Sequence, residues 1–167
     1  VDAALRIDPA ALRRVHAEQV NAGRTVLAVV VNAGATANGA VDPLREIGTF
    51  CREHRVWLHV DGAHGAAALV SPTYRSLLDG IELADSVVWD THKLLGTSAL
   101  ACAVLFRDPG ALAGAFEQHA PYLFSDDEKP GEDVSLHTFE CTKVPIALKL
   151  FFNLAQIGEV GLAAHVD

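Results

Sequence analysis

The stretches WLHVDGAHGAA (57–67) and ADSVVWDTHKLL (84–95) decide the fold. Each carries a short run rich in apolar and β-branched residues, Val56–Val60 and Asp85–Trp89, that stops at an aspartate, Asp61 or Asp90. Small or polar residues follow, and runs bounded in this way predict strands. A third run lies upstream, TVLAVVVN (25–32), leading into a Gly/Ala/Thr/Asn loop over 33–40. Its unbroken apolar character predicts a strand buried on both faces of a parallel sheet.

Helix signals alternate with these strands. Asp8 as N-cap and Pro9 at the first helical position open a helix over 8–22, which Gly23 stops. Asp42-Pro43 opens a second that runs to about His54, and a third falls around Pro72–Asp79. Leu100–Phe106 (LACAVLF) reads as a fourth strand, antiparallel because the connection from Lys93 is too short for a helical crossover. Residues 109–119 predict a helix, the charged stretch Phe124–Ser135 a mobile loop, and Val144–Leu154 a helix that Gly158 and Gly161 break. The class is α/β with a mostly parallel sheet.

Composition bounds the rest. At 167 residues, 17.7 kDa and 50% hydrophobic content, the chain has enough for one domain with a core, which excludes disorder. Thirteen basic against 21 acidic residues give −8, without the basic stripe of a nucleic-acid binder. No apolar run reaches the ~18 residues of a membrane span, and the N-terminus lacks the layout of a signal peptide. Cys51, Cys102 and Cys141 are odd in number, far apart and without a CxxC pair. They read as reduced thiols of a cytoplasmic protein rather than a disulfide framework or a zinc site.

In sheets of this class ligands sit outside the carboxyl ends of the strands, so chemistry is sought in Gly34-Ala35-Thr36, Asp61–His64 and Asp90–Lys93. Lys93 follows a buried strand and precedes Leu94-Leu95, which predicts a partly desolvated amine with His92 beside it. Desolvation frees a neutral amine to attack a carbonyl. The same residue also reads as a surface lysine at a strand exit. Asp61 ends the preceding strand at the same edge, where a carboxylate can hold a pyridine nitrogen. A lysine Schiff base with an aspartate on the pyridinium is the recurring protein contribution to pyridoxal phosphate chemistry. Gly62-Ala63 and Gly34-Ala35 would let a flat ring lie against backbone; the alternative is an ordinary set of α/β loops. His59, Asp61 and His64 also suit a metal, but His64 lies past the strand end and no further ligand or base is evident. No metal is expected.

NAGATANGAVDPL (32–44), WLHVDGAHGAA (57–67), ADSVVWDTHKLL (84–95) and FECTKVPIALKLFFNLAQIGEVGLAAHVD (139–167) occur in an order that resembles the group II pyridoxal-phosphate-dependent amino-acid decarboxylases. That family includes glutamate, aromatic amino acid, cysteine sulfinate and 2,4-diaminobutyrate decarboxylases. The resemblance implies a fold-type I (aspartate-aminotransferase-like) large domain, incomplete here, with a mixed, mostly parallel sheet and helices on both faces. Residues 1–167 would be a partial cofactor-binding domain, with 124–135 as mobile loop and 144–167 as helices leading toward a C-terminal domain.

The resemblance also implies pyridoxal 5'-phosphate as cofactor, an amino acid as substrate and a homodimer, without nucleic acid or membrane as partner. Lys93 would form the Schiff base, and Asp61 would pair with the pyridine nitrogen. Ala63 would lie against the ring, and His92 near the phosphate and the reacting centre. Thr36 and Asp90 would help position the cofactor. Many members have Asn and Pro where Asp90 and Thr91 stand, and Thr where Ala35 stands. The family's ring-stacking histidine and most phosphate donors come from upstream, outside this chain. No tyrosine lies between Phe124 and Glu140 to protonate a carbanion, which leaves His137 as the conceivable donor there. The reaction expected is loss of the α-carboxylate as carbon dioxide. Two other readings stand beside it: another fold-type I enzyme (an aminotransferase-like lyase or desulfurase), or a truncated, non-catalytic piece. At about a third of such an enzyme, the chain alone is expected to be inactive and poorly soluble.

Overall fold

The computed structural model describes residues 1–116, 138 and 143–167. The stretch 124–135, His137 and Cys141 lie outside the described residues, as does the end of the helix expected over 109–119. The chain divides into two units, Val1–Leu105 with Ile146–Asp167, and Phe106–Pro145. The second contributes the helix α3 (Gly110–Phe116) among its described residues.

The first unit is built on a sheet of order β1 (Ala28–Asn32), β2 (Trp57–Asp61), β3 (Ser86–Trp89) and β4 (Ala103–Phe106). β1 and β3 both run parallel to β2, with Asn32 opposite Asp61 and Asp61 opposite Val88 at the carboxyl ends. Asp85 locks this register from both sides of its backbone. Its N–H donates to the Leu58 carbonyl at 2.8 Å, and its carboxylate accepts the Leu58 N–H at 2.7 Å.

Helix α1 (Pro9–Asn21) begins as its sequence dictates, with the Asp8 carboxylate accepting the Ala10 N–H at 2.9 Å. Helix α2 (Leu44–His54) places Leu44, Ile47, Phe50 and Cys51 on one buried face. That face packs on Val31, Leu58 and Val60, all fully buried. Each such aliphatic side chain contributes roughly 1.5–3 kcal/mol through burial. Asp42 stands before this helix, yet its side chain does not cap it. It is buried and accepts two backbone N–H groups, from Ile7 and Asn32, each at 2.7 Å, tying the N-terminal segment to β1.

Two expectations are corrected. β1 is buried on one face, since Val29 and Val31 point to α2 while Val30 on the other face is 59% exposed. An apolar run reports residue type, whereas burial follows what covers each face of the pleat. The helix expected over Pro72–Asp79 is replaced by short 3-10 turns at Gly65–Val70, Arg75–Leu78 and Ile81–Leu83. Gly80 separates the last two at φ +96°, with the Arg45 backbone packed so close that a Cβ there would overlap it.

Helix α4 (Ala147–Val166) is broken at Gly158 (φ 67°, ψ 177°), as its sequence predicts, whereas Gly161 stays helical. Leu162 of α4 joins Ala67 and Leu95 in a second buried cluster, against which Trp89 and Leu150 pack. This cluster fixes the chain that follows β3. Among the described residues no helix is long and apolar enough to cross a membrane.

Candidate active site

The carboxyl ends of β1, β2 and β3 carry three short loops, and hydrogen bonds join them in sequence. The loop after β1 is closed by a bridge between Ala33 and Val41 and by the N–H groups of Gly34 and Ala35, both donating to the Ala40 carbonyl. Gly65, after β2, donates its N–H to the Ala33 carbonyl at 3.0 Å. Gly62 donates to Val88 of β3 at 3.1 Å, and a Cβ on Gly62 would crowd Ala66 and the Val88 carbonyl. These glycines therefore serve the close approach of one loop to the next.

Asp61 lies exposed at the end of β2, and one of its carboxylate oxygens accepts the Ala63 N–H at 3.1 Å. The Ala63 carbonyl in turn accepts the Asp90 N–H at 3.2 Å. The Asp90 carboxylate pairs with the Lys93 amine at 2.9 Å, and the Lys93 N–H donates to the Asp90 carbonyl at 3.1 Å, closing a tight turn. The structure thus strings Asp61, Ala63, Asp90 and Lys93 on one continuous path across two strand ends. Thr36 is exposed on the loop after β1 and takes no part in it.

Lys93 is partly exposed at the strand exit. Its side chain is 38% exposed and ion-paired, because the turn after β3 buries Thr91 and Leu95 and leaves the intervening residues outside. Thr91 is 2% exposed and shares a hydrogen bond with Thr97 at 3.0 Å. The Asn153 side chain of α4 donates to the Leu95 carbonyl at 2.8 Å. His92 is held from the other direction: its Nδ1 lies 2.7 Å from the Ala101 carbonyl. The Ala101 N–H also lies 3.2 Å from the same nitrogen, so Ala101 clamps the ring at Nδ1.

The sequence reads Cys102 only as a reduced thiol, and no spacing links it to position 90. The Cys102 thiol beside the Asp90 carboxylate, foremost, with Lys93 adding to it, holds the Asp90 carboxyl below its ordinary value. Burial, then Asp90, push the thiol up to about 11. His59 is likewise engaged, with Nδ1 2.8 Å from the Ser86 hydroxyl, which also accepts the Trp57 indole N–H at 2.9 Å. Among the described residues no group of three or more His, Cys, Asp or Glu side chains is placed to hold a metal ion.

An open parallel sheet with an accessible lysine after one strand and a carboxylate after its neighbour defines an α/β protein whose candidate site lies at the carboxyl edge of the sheet. Residues 1–167 match the family described as pyridoxal-dependent decarboxylase conserved domain, and the chain belongs to that family. It is 38% identical over 150 residues to acidic amino acid decarboxylase of Homo sapiens, covering 87% of this chain and 28% of that protein. It is 39% identical over 150 residues to cysteine sulfinic acid decarboxylase of Homo sapiens, covering 87% and 30%. Among solved structures it superposes on the apo form of mouse CSAD with a TM-score of 0.89 at 33% identity, covering 98% of this chain and 34% of that one. Catharanthus roseus tryptophan decarboxylase in complex with L-tryptophan gives 0.87 at 29%, covering 97% and 34%. The chain thus spans about a third of the length of the relatives it matches.

The donor set fits pyridoxal phosphate, the cofactor characteristic of the family. Lys93 offers a primary amine open to solvent. Asp61 offers an exposed carboxylate with an oxygen not taken up by Ala63. Gly34, Gly62 and Gly65 are hemmed in by neighbouring chain, and Ala63 links Asp61 to Asp90 through its backbone.

Proposed function

We propose that the protein carrying this chain removes the α-carboxylate of an amino acid as carbon dioxide, with pyridoxal phosphate bound at the carboxyl edge of β2 and β3. The observation that carries this is the Asp61–Ala63–Asp90–Lys93 path, which fixes an amine and a carboxylate at adjacent strand ends. When bound, the cofactor supplies an electron sink for the pair left behind as the carboxylate departs.

The chain's own residues do the rest. Lys93 would hold the cofactor through its amine, which reaches solvent at the strand exit. Asp61 keeps a proton on the ring nitrogen, so that the ring remains electron-poor through the step that needs it. Ala63 presents a small side chain on which a ring can lie flat. His92, fixed through Nδ1 to Ala101, turns Nε2 toward a proton or a polar group of the ligand. Thr36 and Asp90 complete the set as positioning groups.

The two curated relatives quoted above act, by name, on acidic or sulfinic amino acids, and they are more similar to this chain than the tryptophan enzyme. That supports an amino acid with an acidic side chain as substrate. The free thiols of Cys51 and Cys102 support a reducing, cytoplasmic compartment. A second copy of the chain is the partner we read, supported by the exposed Phe151 and Phe152 of α4, and sedimentation velocity tests it.

Carbon dioxide release should be assayed across glutamate, aspartate, cysteine sulfinate and aromatic amino acids. Release from an acidic substrate that disappears in Lys93→Ala supports the proposal. Release that survives Lys93→Ala refutes the role of Lys93. Transamination or sulfide release without carbon dioxide moves the protein to a different reaction of the same fold.

A further inference from the structure

We propose that Asp90 restrains Lys93: its carboxylate holds the free amine at the sheet edge and has to release it before that amine can take a carbonyl group. The inference rests on the reading of Lys93 as the cofactor-binding lysine, and it adds a residue that governs how readily cofactor is loaded.

The geometry separates a fixed partner from a movable one. Asp90 is 15% exposed, and its backbone N–H is anchored to the Ala63 carbonyl at 3.2 Å, so the loop after β2 sets its place. Lys93 is 38% exposed and reaches the carboxylate with the end of a flexible side chain, 2.9 Å away. The Cys102 thiol, just before β4, lies beside the same carboxylate and donates to the Ala103 carbonyl at 3.8 Å.

The chemistry follows from the pairing. An ammonium held against a carboxylate has no lone pair to offer. For a C=N bond to form, Lys93 gives a proton to solvent and its nitrogen adds to the aldehyde carbon. The carbonyl oxygen then leaves as water. No oxidant or reductant is needed. Asp90 holds the nitrogen in the ion pair and away from an incoming aldehyde, so removing its charge should speed the step.

The test follows modification of Lys93 over time. Pyridoxal 5'-phosphate is added to the cofactor-free protein, and aliquots are quenched with borohydride, which delivers hydride to the C=N carbon. Peptide mass spectrometry then counts labelled Lys93. Asp90→Asn is expected to label Lys93 about two- to fivefold faster, the range a partly exposed ion pair allows. Asp90→Glu, which keeps the charge, should return the rate to near that of the unsubstituted protein. Labelling of Lys149 on α4 should not change, which a general loosening of the fold would not spare. If Asp90→Asn loses the native circular dichroism, Asp90→Ser makes the same comparison with a smaller uncharged side chain. An unchanged or slower rate on removing the charge overturns the inference, as does Asp90→Glu matching Asp90→Asn, while the functional reading of Lys93 stands. Absence of label on Lys93 in every form overturns both.

Discussion

Gly65 donates its backbone N–H to the carbonyl of Ala33 at 3.0 Å, and a Cβ at Gly65 would overlap that same oxygen. The loops after β1 and β2 are therefore in backbone contact, and only a residue without a side chain permits it. Gly65→Ala forces the loops apart or strains them. We expect a loss of about 1–3 kcal/mol, the usual range for overpacking, read as a lower urea midpoint at unchanged slope.

Asp42 is a second point where distant segments meet. Its buried carboxylate takes the N–H groups of Ile7 and Asn32, and removing it leaves both donors without their acceptor. Asp42→Ala should cost about 3 kcal/mol in chemical denaturation, because buried unsatisfied donors carry their full desolvation penalty. Asp42→Asn should cost less, since the amide oxygen can still accept one of the two.

The Asp90 carboxyl predicts a pH dependence of stability. It is held below its ordinary 3.8, first by the Cys102 thiol and then by Lys93. A carboxyl depressed in the native state binds fewer protons there than in the unfolded chain, so stability rises with pH across that interval. The contribution is complete above about pH 4 and is lost as pH falls through the native value. Denaturation between pH 2 and pH 5 should show a steeper acid limb for the unsubstituted protein than for Asp90→Asn. Equal slopes would mean that the pairing does not persist in solution.

Asp61 separates binding from turnover. Its exposed carboxylate makes one local hydrogen bond, to Ala63, so the fold depends on it little. Under the proposed function, Asp61→Ala should lower turnover by about 10²–10³-fold, as loss of one preorganised electrostatic partner does. Cofactor should still label Lys93. Turnover within twofold of the unsubstituted protein would remove Asp61 from the electron-sink role.

Much of the fold was legible in the residues themselves. Three strands halting at Asn32, Asp61 and Trp89 follow from apolar runs bounded by turn-forming residues, and α1 follows from Asp8 and Pro9. The break at Gly158 follows from the backbone freedom of glycine. The Lys93 and Asp61 assignments came from the same logic, since consecutive parallel strands present their carboxyl ends at one edge. The 3-10 turns between 65 and 83 were not legible in local periodicity; the last of them follows Gly80, which packs on the Arg45 backbone.

The sequence by itself determined the class of sheet, the strands that carry the candidate site and the aspartate and lysine that follow them. These depend on short-range properties: side-chain periodicity, β-branching and the torsional limits of proline and glycine. Only the tertiary structure decided that β1 is covered on one face, that Asp42 binds backbone on two segments rather than capping α2, and that Lys93 is exposed and paired. It alone brought Cys102 to Asp90 and the Ala63 carbonyl to the Asp90 N–H. Hydrogen-bond partners and exposure are properties of segments that meet in space, and nothing in the spacing of residues along the chain encodes which ones will meet.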